Sequence, residues 1–334
     1  MRILVVRVGA MGDVLHALPA VARLREARPD WEVDWVVDPR WAPLLVDAQG
    51  RGPIVHRIHL AETRLWSKAP VSLATMRSIA ELWRALRTEQ YDLVVDMQGT
   101  LRSAVIGWMA GGREFAGFAD PRERLAANFY SRKLERRGRH VVEQGAALLG
   151  EACGFAQQPG SVSLPRETLA DLWAEESVGG RGVCLLAPGA GWEAKRWPAE
   201  KFGLLAKELR QMGLDVIVNS SHKDDTLAEA IMRASGGLAR VEVCDVAGLV
   251  ALVRRVTVMV GGDSGPMHLA AVLGVPVVAL FGPTDPERNG PWGPGKKMVL
   301  RDPASVTSYK RTANDSGLAR LTVEAVVNAV HGLI

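Results

Sequence analysis

Twice along this chain a short apolar run breaks into a glycine-bearing turn and then into an amphipathic stretch, and that repetition leaves few folds open. The first instance is "RILVVRVGAMGDVLHALPA" at the start, and the second begins with "GVCLLAPGAG" at 182–191. The β-branched runs read as buried strands, whereas Leu15, Leu18, Ala22 and Leu24 recur at helical spacing over 13–27. "EVDWVVD" (32–38) predicts a second strand and "PIVHRIHL" (53–60) a weaker third, followed by a helix over 72–88 and the strand "YDLVVDMQG" (91–99). The second half repeats the scheme with a helix over 198–212 and the strand "LDVIVNS" (214–220). A further strand, a glycine turn, a helix from about Pro266 to Leu273 and the strand "VPVVALFG" come next, and "TVEAVVNAVHGLI" predicts a closing amphipathic helix. Strand and helix in alternation imply right-handed crossovers and a parallel sheet.

The expected architecture is therefore α/β, with two Rossmann-like domains facing across a cleft and ligands beyond the carboxyl ends of the strands. We expect a first domain over 1–160, a linker over 161–180, a second domain over 181–320 and a terminal helix over 321–334. A chain of 334 residues suits two domains of about 150 each. With 48% apolar and 23% charged residues it has ample material for two packed interiors. A net charge of +4 favours anionic ligands but is too small to argue for nucleic acid. Cys153, Cys184 and Cys244 are odd in number and far apart, so neither a disulfide framework nor a zinc site is expected. No apolar stretch approaches 18 residues, and the expected location is cytoplasmic.

Asp13 sits where the first helix should begin. One reading is a first-turn acid that offsets the helix dipole. The other is a carboxylate held up by a rigid strand–turn–helix corner, kept ionised by the helix end and available as a general base. A dinucleotide fingerprint needs G-x-G-x-x-G, yet the turn offers only Gly9 and Gly12, without the middle glycine. Asp38, at the end of the second strand, keeps an NAD-dependent oxidoreductase as the alternative, since it could imitate a ribose-binding acid.

In the second half "GGDSGPMHLAAVLGVPVVALFGPTDP" carries the most information. Ser264, Gly265, Met267 and His268 present backbone N–H groups at a helix start, a ready seat for a diphosphate. Asp263 would cap that helix or accept hydrogen bonds from sugar hydroxyls. "APGAGWEAKRWP" (187–198) adds Lys195, which could neutralise charge on a leaving diphosphate. No D-x-D pair or His/Cys cluster is present, so no metal and no cofactor is expected. Asp224 and Asp225, after a strand end, are placed near a donor ribose. Trp31, Trp35, Trp41, Trp66 and Trp83 fit core packing and a membrane-facing surface equally well.

These segments, with "DLVVDMQGTLRSA" and "RERLAANFYSRK", resemble glycosyltransferase family 9, the lipopolysaccharide heptosyltransferases, and within it the heptosyltransferase I branch. The resemblance implies a GT-B fold whose last helix packs back toward the first domain. It implies inverting, metal-independent transfer of L-glycero-D-manno-heptose from ADP-heptose to the Kdo–lipid A inner core, by an enzyme peripheral to the inner membrane. A heptosyltransferase II-like member with another acceptor is the alternative within the family. Carried over by motif, Asp13 looks like the base. Ala190, Gly191, Lys195, Asp263, Ser264, Gly265 and His268 look like the donor site, and Arg64, Lys68 and Arg122 look like acceptor contacts. Three positions depart from the family pattern: Ala190 and Gly191 replace a threonine pair, and Gln144 stands where a basic residue is expected.

Overall fold

A computed structural model describes residues 1–180, 182–309 and 317–334. The chain divides into two compact units, Met1–Pro165 and Arg166–Ile334. In the first unit the strands are β1 (Arg2–Val6), β2 (Glu32–Val37), β3 (Arg57–Leu60), β4 (Leu93–Asp96), β5 (Glu114–Phe118) and β6 (Arg132–Leu134). Its helices are α1 (Met11–Ala27), α2 (Thr63–Lys68), α3 (Leu73–Thr88), α4 (Leu101–Ala110) and α5 (Val141–Ala152), with a 3₁₀ turn at Arg124–Phe129. The second unit has β7 (Val183–Ala187), β8 (Asp215–Ser220), β9 (Ala239–Val243), β10 (Val258–Gly262), β11 (Val277–Phe281) and β12 (Lys297–Arg301). Helices α6 (Thr168–Val178), α7 (Ala199–Gln211), α8 (Thr226–Ala234), α9 (Val246–Val253), α10 (Gly265–Val272), α11 (Pro286–Asn289), α12 (Gly317–Arg320) and α13 (Val323–His331) complete it.

Both sheets are wholly parallel, and their strand orders are β3-β2-β1-β4-β5-β6 and β12-β11-β10-β7-β8-β9. Counted from its own first strand, each half therefore runs 3-2-1-4-5-6, the doubly wound Rossmann order. That order has one functional consequence: it creates a switch point in each unit, between β1 and β4 and between β7 and β10. Loops leaving adjacent strands there diverge to opposite faces and leave a crevice for a ligand.

The central strands β1, β4, β7, β10 and β11 are buried on both faces, as crossover helices demand, so most of them read as continuous apolar runs rather than alternating ones. One face of the first sheet packs Leu82 and Leu86 of α3, Ala104 and Ile106 of α4, and Tyr130 into a single cluster with Leu4 and Val6. In the second unit Trp197 and Phe202, edge to face with centroids 4.9 Å apart, anchor a cluster with Leu186, Val218 and Leu280.

The segment read as a linker contains the short helix α6, which packs on α9 with Trp173 against Gly248, while Leu169 and Leu172 remain exposed. The terminal helix α13 was expected to pack back on the first domain. Its apolar stripe of Val326, Ala329 and Val330 instead joins the second unit's core against α7. Strands β5, β6, β9 and β12 and helix α5 were not anticipated; all four strands are short and charged, and β6, β9 and β12 lie at sheet edges. No helix among the described residues is long and apolar enough to cross a membrane.

Candidate active site

The first switch point is built around Asp13. It is the third residue of α1, and its Oδ2 accepts a hydrogen bond from the Ala10 N–H at 3.1 Å. Oδ1 meets the Arg7 guanidinium at 2.8 Å, while Arg7 also donates from Nε to the Asp13 carbonyl and from Nη1 to the Met97 carbonyl. Asp13 therefore satisfies the helix start, and its side chain remains 36% exposed.

Gln98, one residue beyond the loop's entry from β4, fastens this corner from the other side. Its Oε1 accepts from Val8 N–H at 2.8 Å and Gly9 N–H at 3.3 Å. Gln98 is itself held by the fully buried Asp96. That carboxylate accepts from the Gln98 and Gly99 N–H groups, from Ser103 Oγ at 2.9 Å and from Tyr130 OH at 2.7 Å. Burial pushes this carboxyl above its ordinary range even with four donors around it. Gly99, at φ +71°, turns the chain where the backbone of Pro121 and Arg122 leaves no room for a side chain. Its carbonyl accepts from Glu123 N–H, so the loop bearing Arg122 is tied beside Gln98.

Arg64 and Lys68 reach the same end of the sheet from α2. That helix is moored by Thr63 Oγ1, which donates to Asp38 at 3.1 Å, and by Ser67 Oγ, which accepts from Arg102. Both cations and Arg122 are exposed, and none has a carboxylate partner among the described residues. Asp38, the acid on which the oxidoreductase alternative depends, is committed instead: Arg40 binds both its oxygens, at 2.8 and 3.0 Å, and Thr63 takes the remaining lone pair. Burial opposes its ionisation, but Arg40 and its backbone hold the carboxyl below the usual range. A ribose has nothing left to bind there.

Within the basic segment 122–139, Arg132 and Arg136 make structural contacts. Arg132 donates to the last carbonyls of α5, at Glu151 and Ala152, where a cation offsets the helix dipole. Arg136 pairs with Asp120 and lies over the Phe118 ring at 4.0 Å. Gln144 is buried, accepts from Arg136 and donates to the carbonyls of Gly138 and Arg139, so its amide holds a loop.

The second switch point carries the opposite charge arrangement. Lys195 follows β7 and Asp263 follows β10, 68 residues apart in sequence, and they meet with Nζ 2.5 Å from Oδ2. His268, on the first turn of α10, places Nε2 at 3.1 Å from the other carboxylate oxygen. Burial alone would raise the Asp263 carboxyl, but His268 and Lys195 hold it well below the ordinary carboxylate range. Asp263 therefore does not cap α10: Ser264 is the N-cap residue, and it makes no side-chain capping bond. Lys195 also lies over the Trp192 ring at 4.2 Å.

Ala190 and Gly191 lie in the open loop between β7 and Lys195, where a side chain on Gly191 would touch nothing. Gly265 opens α10 just after Ser264. Three buried polar atoms near these turns have no partner: Trp192 Nε1, Ser264 Oγ and Thr284 Oγ1. Orphaned groups of this kind are few in folded proteins; among the described residues Arg25 Nε, Gln157 Oε1 and Ser305 Oγ are likewise without a partner. Asp225 does not join the site. Its carboxylate caps α8 through the N–H groups of Leu227 and Ala228, and it accepts from Ser220. No three His, Cys, Asp or Glu side chains group as metal ligands among the described residues.

Arg7, Gln98, Asp96, Trp192 and Thr284 were not singled out from sequence. Gln98 and Asp96 lie in the quoted "DMQG", but their partners are some 90 and 34 residues away, beyond any local signal.

Comparison with known proteins places this geometry. Residues 79–317 match the family model described as glycosyltransferase family 9 (heptosyltransferase). Lipopolysaccharide heptosyltransferase 1 of Pseudomonas aeruginosa is 31% identical over 320 residues, covering 93% of this chain and 87% of that protein. The protein of the same name from Escherichia coli K12 is 31% identical over 313 residues, 91% of this chain and 94% of that one. Among solved structures, E. coli heptosyltransferase WaaC with ADP superposes at a TM-score of 0.82 with 27% identity and full coverage of both chains. A family 9 glycosyltransferase from Veillonella parvula, 21% identical, shares the fold at 0.83 over 99% of this chain and 96% of that one. The two Rossmann-like sheets are those of the GT-B class.

Proposed function

This chain belongs to glycosyltransferase family 9, and from that premise we propose that it transfers L-glycero-D-manno-heptose from ADP-heptose to the Kdo–lipid A inner core of lipopolysaccharide, with inversion and without a metal ion. One observation carries the reading: each sheet's switch point holds a charge suited to one half of the reaction, an accessible carboxylate in the first unit and a lysine beside a helix N-terminus in the second.

In this scheme the acceptor hydroxyl gives its proton to Asp13 as its oxygen bonds the anomeric carbon of the heptose. The bond from that carbon to the diphosphate oxygen breaks, and ADP leaves with the electron pair. Direct displacement from the opposite side inverts the configuration, through an oxocarbenium-like transition state as in glycoside cleavage. Lys195 and the first N–H groups of α10, at Ser264 and Gly265, offset the charge growing on the diphosphate. Asp263 and His268 hold Lys195 in place, and Ala190 and Gly191 offer backbone N–H groups where hydroxyls are lacking. Arg64, Lys68 and Arg122 face the carboxylates and phosphates of the acceptor. The lipopolysaccharide heptosyltransferase names of the relatives and the ADP in the WaaC structure support the choice of acceptor class and donor nucleotide.

The test is ADP release from ADP-heptose with Kdo–lipid A as acceptor, in the presence of a chelator. Release under those conditions, and its absence with UDP-sugars or NAD, is the expected result. Turnover only on an already heptosylated acceptor would move the chain to the heptosyltransferase II-like alternative, and loss of turnover on chelation would overturn the metal-free scheme.

A further inference from the structure

Helix α4 is apolar on both sides. Ser103, Ala104, Ile106 and Gly107 face the sheet, yet the outward side carries Leu101, the half-buried Val105 and Trp108, whose ring is 59% exposed. The adjoining 3₁₀ turn adds Leu125, 62% exposed, and Phe129, whose ring meets Trp108 edge to face at 6.5 Å. An amphipathic helix has no reason to place leucine and tryptophan on its solvent side unless something covers them.

The surroundings identify what covers them. Arg102, Arg122 and Arg124 flank the patch, and α2 brings Arg64 and Lys68 alongside through the Arg102–Ser67 hydrogen bond. None of these five cations has a carboxylate partner among the described residues. Of the nearby acids, Glu62 is exposed, and Glu123 accepts from the Leu101 N–H at 2.8 Å. Apolar side chains including a tryptophan, ringed by unpaired cations, match the interface of an anionic bilayer, where indole rings settle at headgroup level and lysines and arginines meet lipid phosphates. A second copy of the chain fits poorly, because a two-fold contact would set the five cations against themselves.

We propose that the outward face of α4 and the 124–129 turn is a bilayer-docking surface that seats this unit on anionic phospholipid. The surface does not depend on the choice of donor or acceptor, so it is tested with vesicles that contain neither.

The full chain is sedimented with vesicles of phosphatidylcholine alone or of phosphatidylcholine with phosphatidylglycerol. Binding to the anionic vesicles, weakened by added salt, is expected. The double variant Trp108→Ser/Leu125→Ser should lose about tenfold or more in vesicle affinity, since it removes the buried apolar area. Arg124→Gln should lose about fivefold on anionic vesicles only, because the cation contributes through lipid charge. Both variants alter exposed side chains, so unchanged circular dichroism and melting temperature are expected, with unchanged turnover on an acceptor dispersed in detergent. Absence of binding by the unaltered protein, or equal binding by the Trp108/Leu125 variant, overturns the proposal. So does a dimer in sedimentation velocity that either variant dissolves. Loss of heptosyl transfer by the unaltered protein would count against the proposed function and leave the vesicle result standing.

Discussion

Asp13 serves a helix start and an accessible carboxylate at once, and substitution separates the two. Asp13→Asn keeps a side-chain oxygen for the Ala10 N–H but cannot take a proton, so turnover should fall roughly 10²- to 10⁴-fold. ADP affinity, measured by calorimetry, should stay at the wild-type value, because nothing in the second switch point changes. Asp263 makes a different prediction. Its carboxyl is held below the ordinary range by His268 and Lys195, so the stability it contributes is complete above the unfolded-state value of about 4. That contribution declines as pH falls below this value toward the lower folded one. Thermal melts across this range should show an acid-side loss that is smaller in Asp263→Asn. The variant itself should be less stable at neutral pH by about 3 kcal/mol, since Lys195 is left buried without its partner.

At the scale of elements, the decisive contact joins two loops that leave neighbouring strands. Gln98 binds the N–H groups of Val8 and Gly9, and Tyr130 and Ser103 secure Asp96 beneath it. Gln98→Ala should cost about 1–3 kcal/mol in denaturant unfolding, because the two N–H groups lose their acceptor. It should also lower turnover without altering ADP affinity, since the loop it frees leads into the first turn of α1, where Asp13 lies. Tyr130→Phe removes a donor from a fully buried carboxylate and should destabilise the first unit by a similar amount. The sequence marks the strands and helices on either side of these loops through periodicity and turn residues. It does not mark the loops' mutual contacts, because the partners of Gln98 and Asp96 become neighbours only once β1 and β4 pair.

Across the whole molecule, the same 3-2-1-4-5-6 order occurs twice, with an Asp13–Arg7 pair at the first switch point and an Asp263–Lys195 pair at the second. If the second unit alone takes the nucleotide, adding ADP should slow amide hydrogen exchange over the 188–196 loop and the start of α10. The 7–13 corner, with its Asp13 carboxylate, should be unaffected. Protection at 7–13 instead would place the nucleotide in the first unit and defeat the division of labour.

What the sequence determined by itself is local: alternating strand and helix, the glycine corners, an acid at the start of α1, and a lysine and a histidine near the second-half turns. Those features depend on residues a few positions apart, where turn geometry and helical spacing act directly. The tertiary structure decided which of these side chains were already spent. Asp38 went to Arg40 and Thr63, Asp225 to a helix cap, Gln144 to its own loop, and Asp263 to a lysine 68 residues away. It also decided that Leu101 and Trp108 face outward, because one helix can bury only the side its sheet covers. Hydrogen-bond partners and covered faces are set by which strands lie adjacent, and no short stretch of sequence specifies that adjacency.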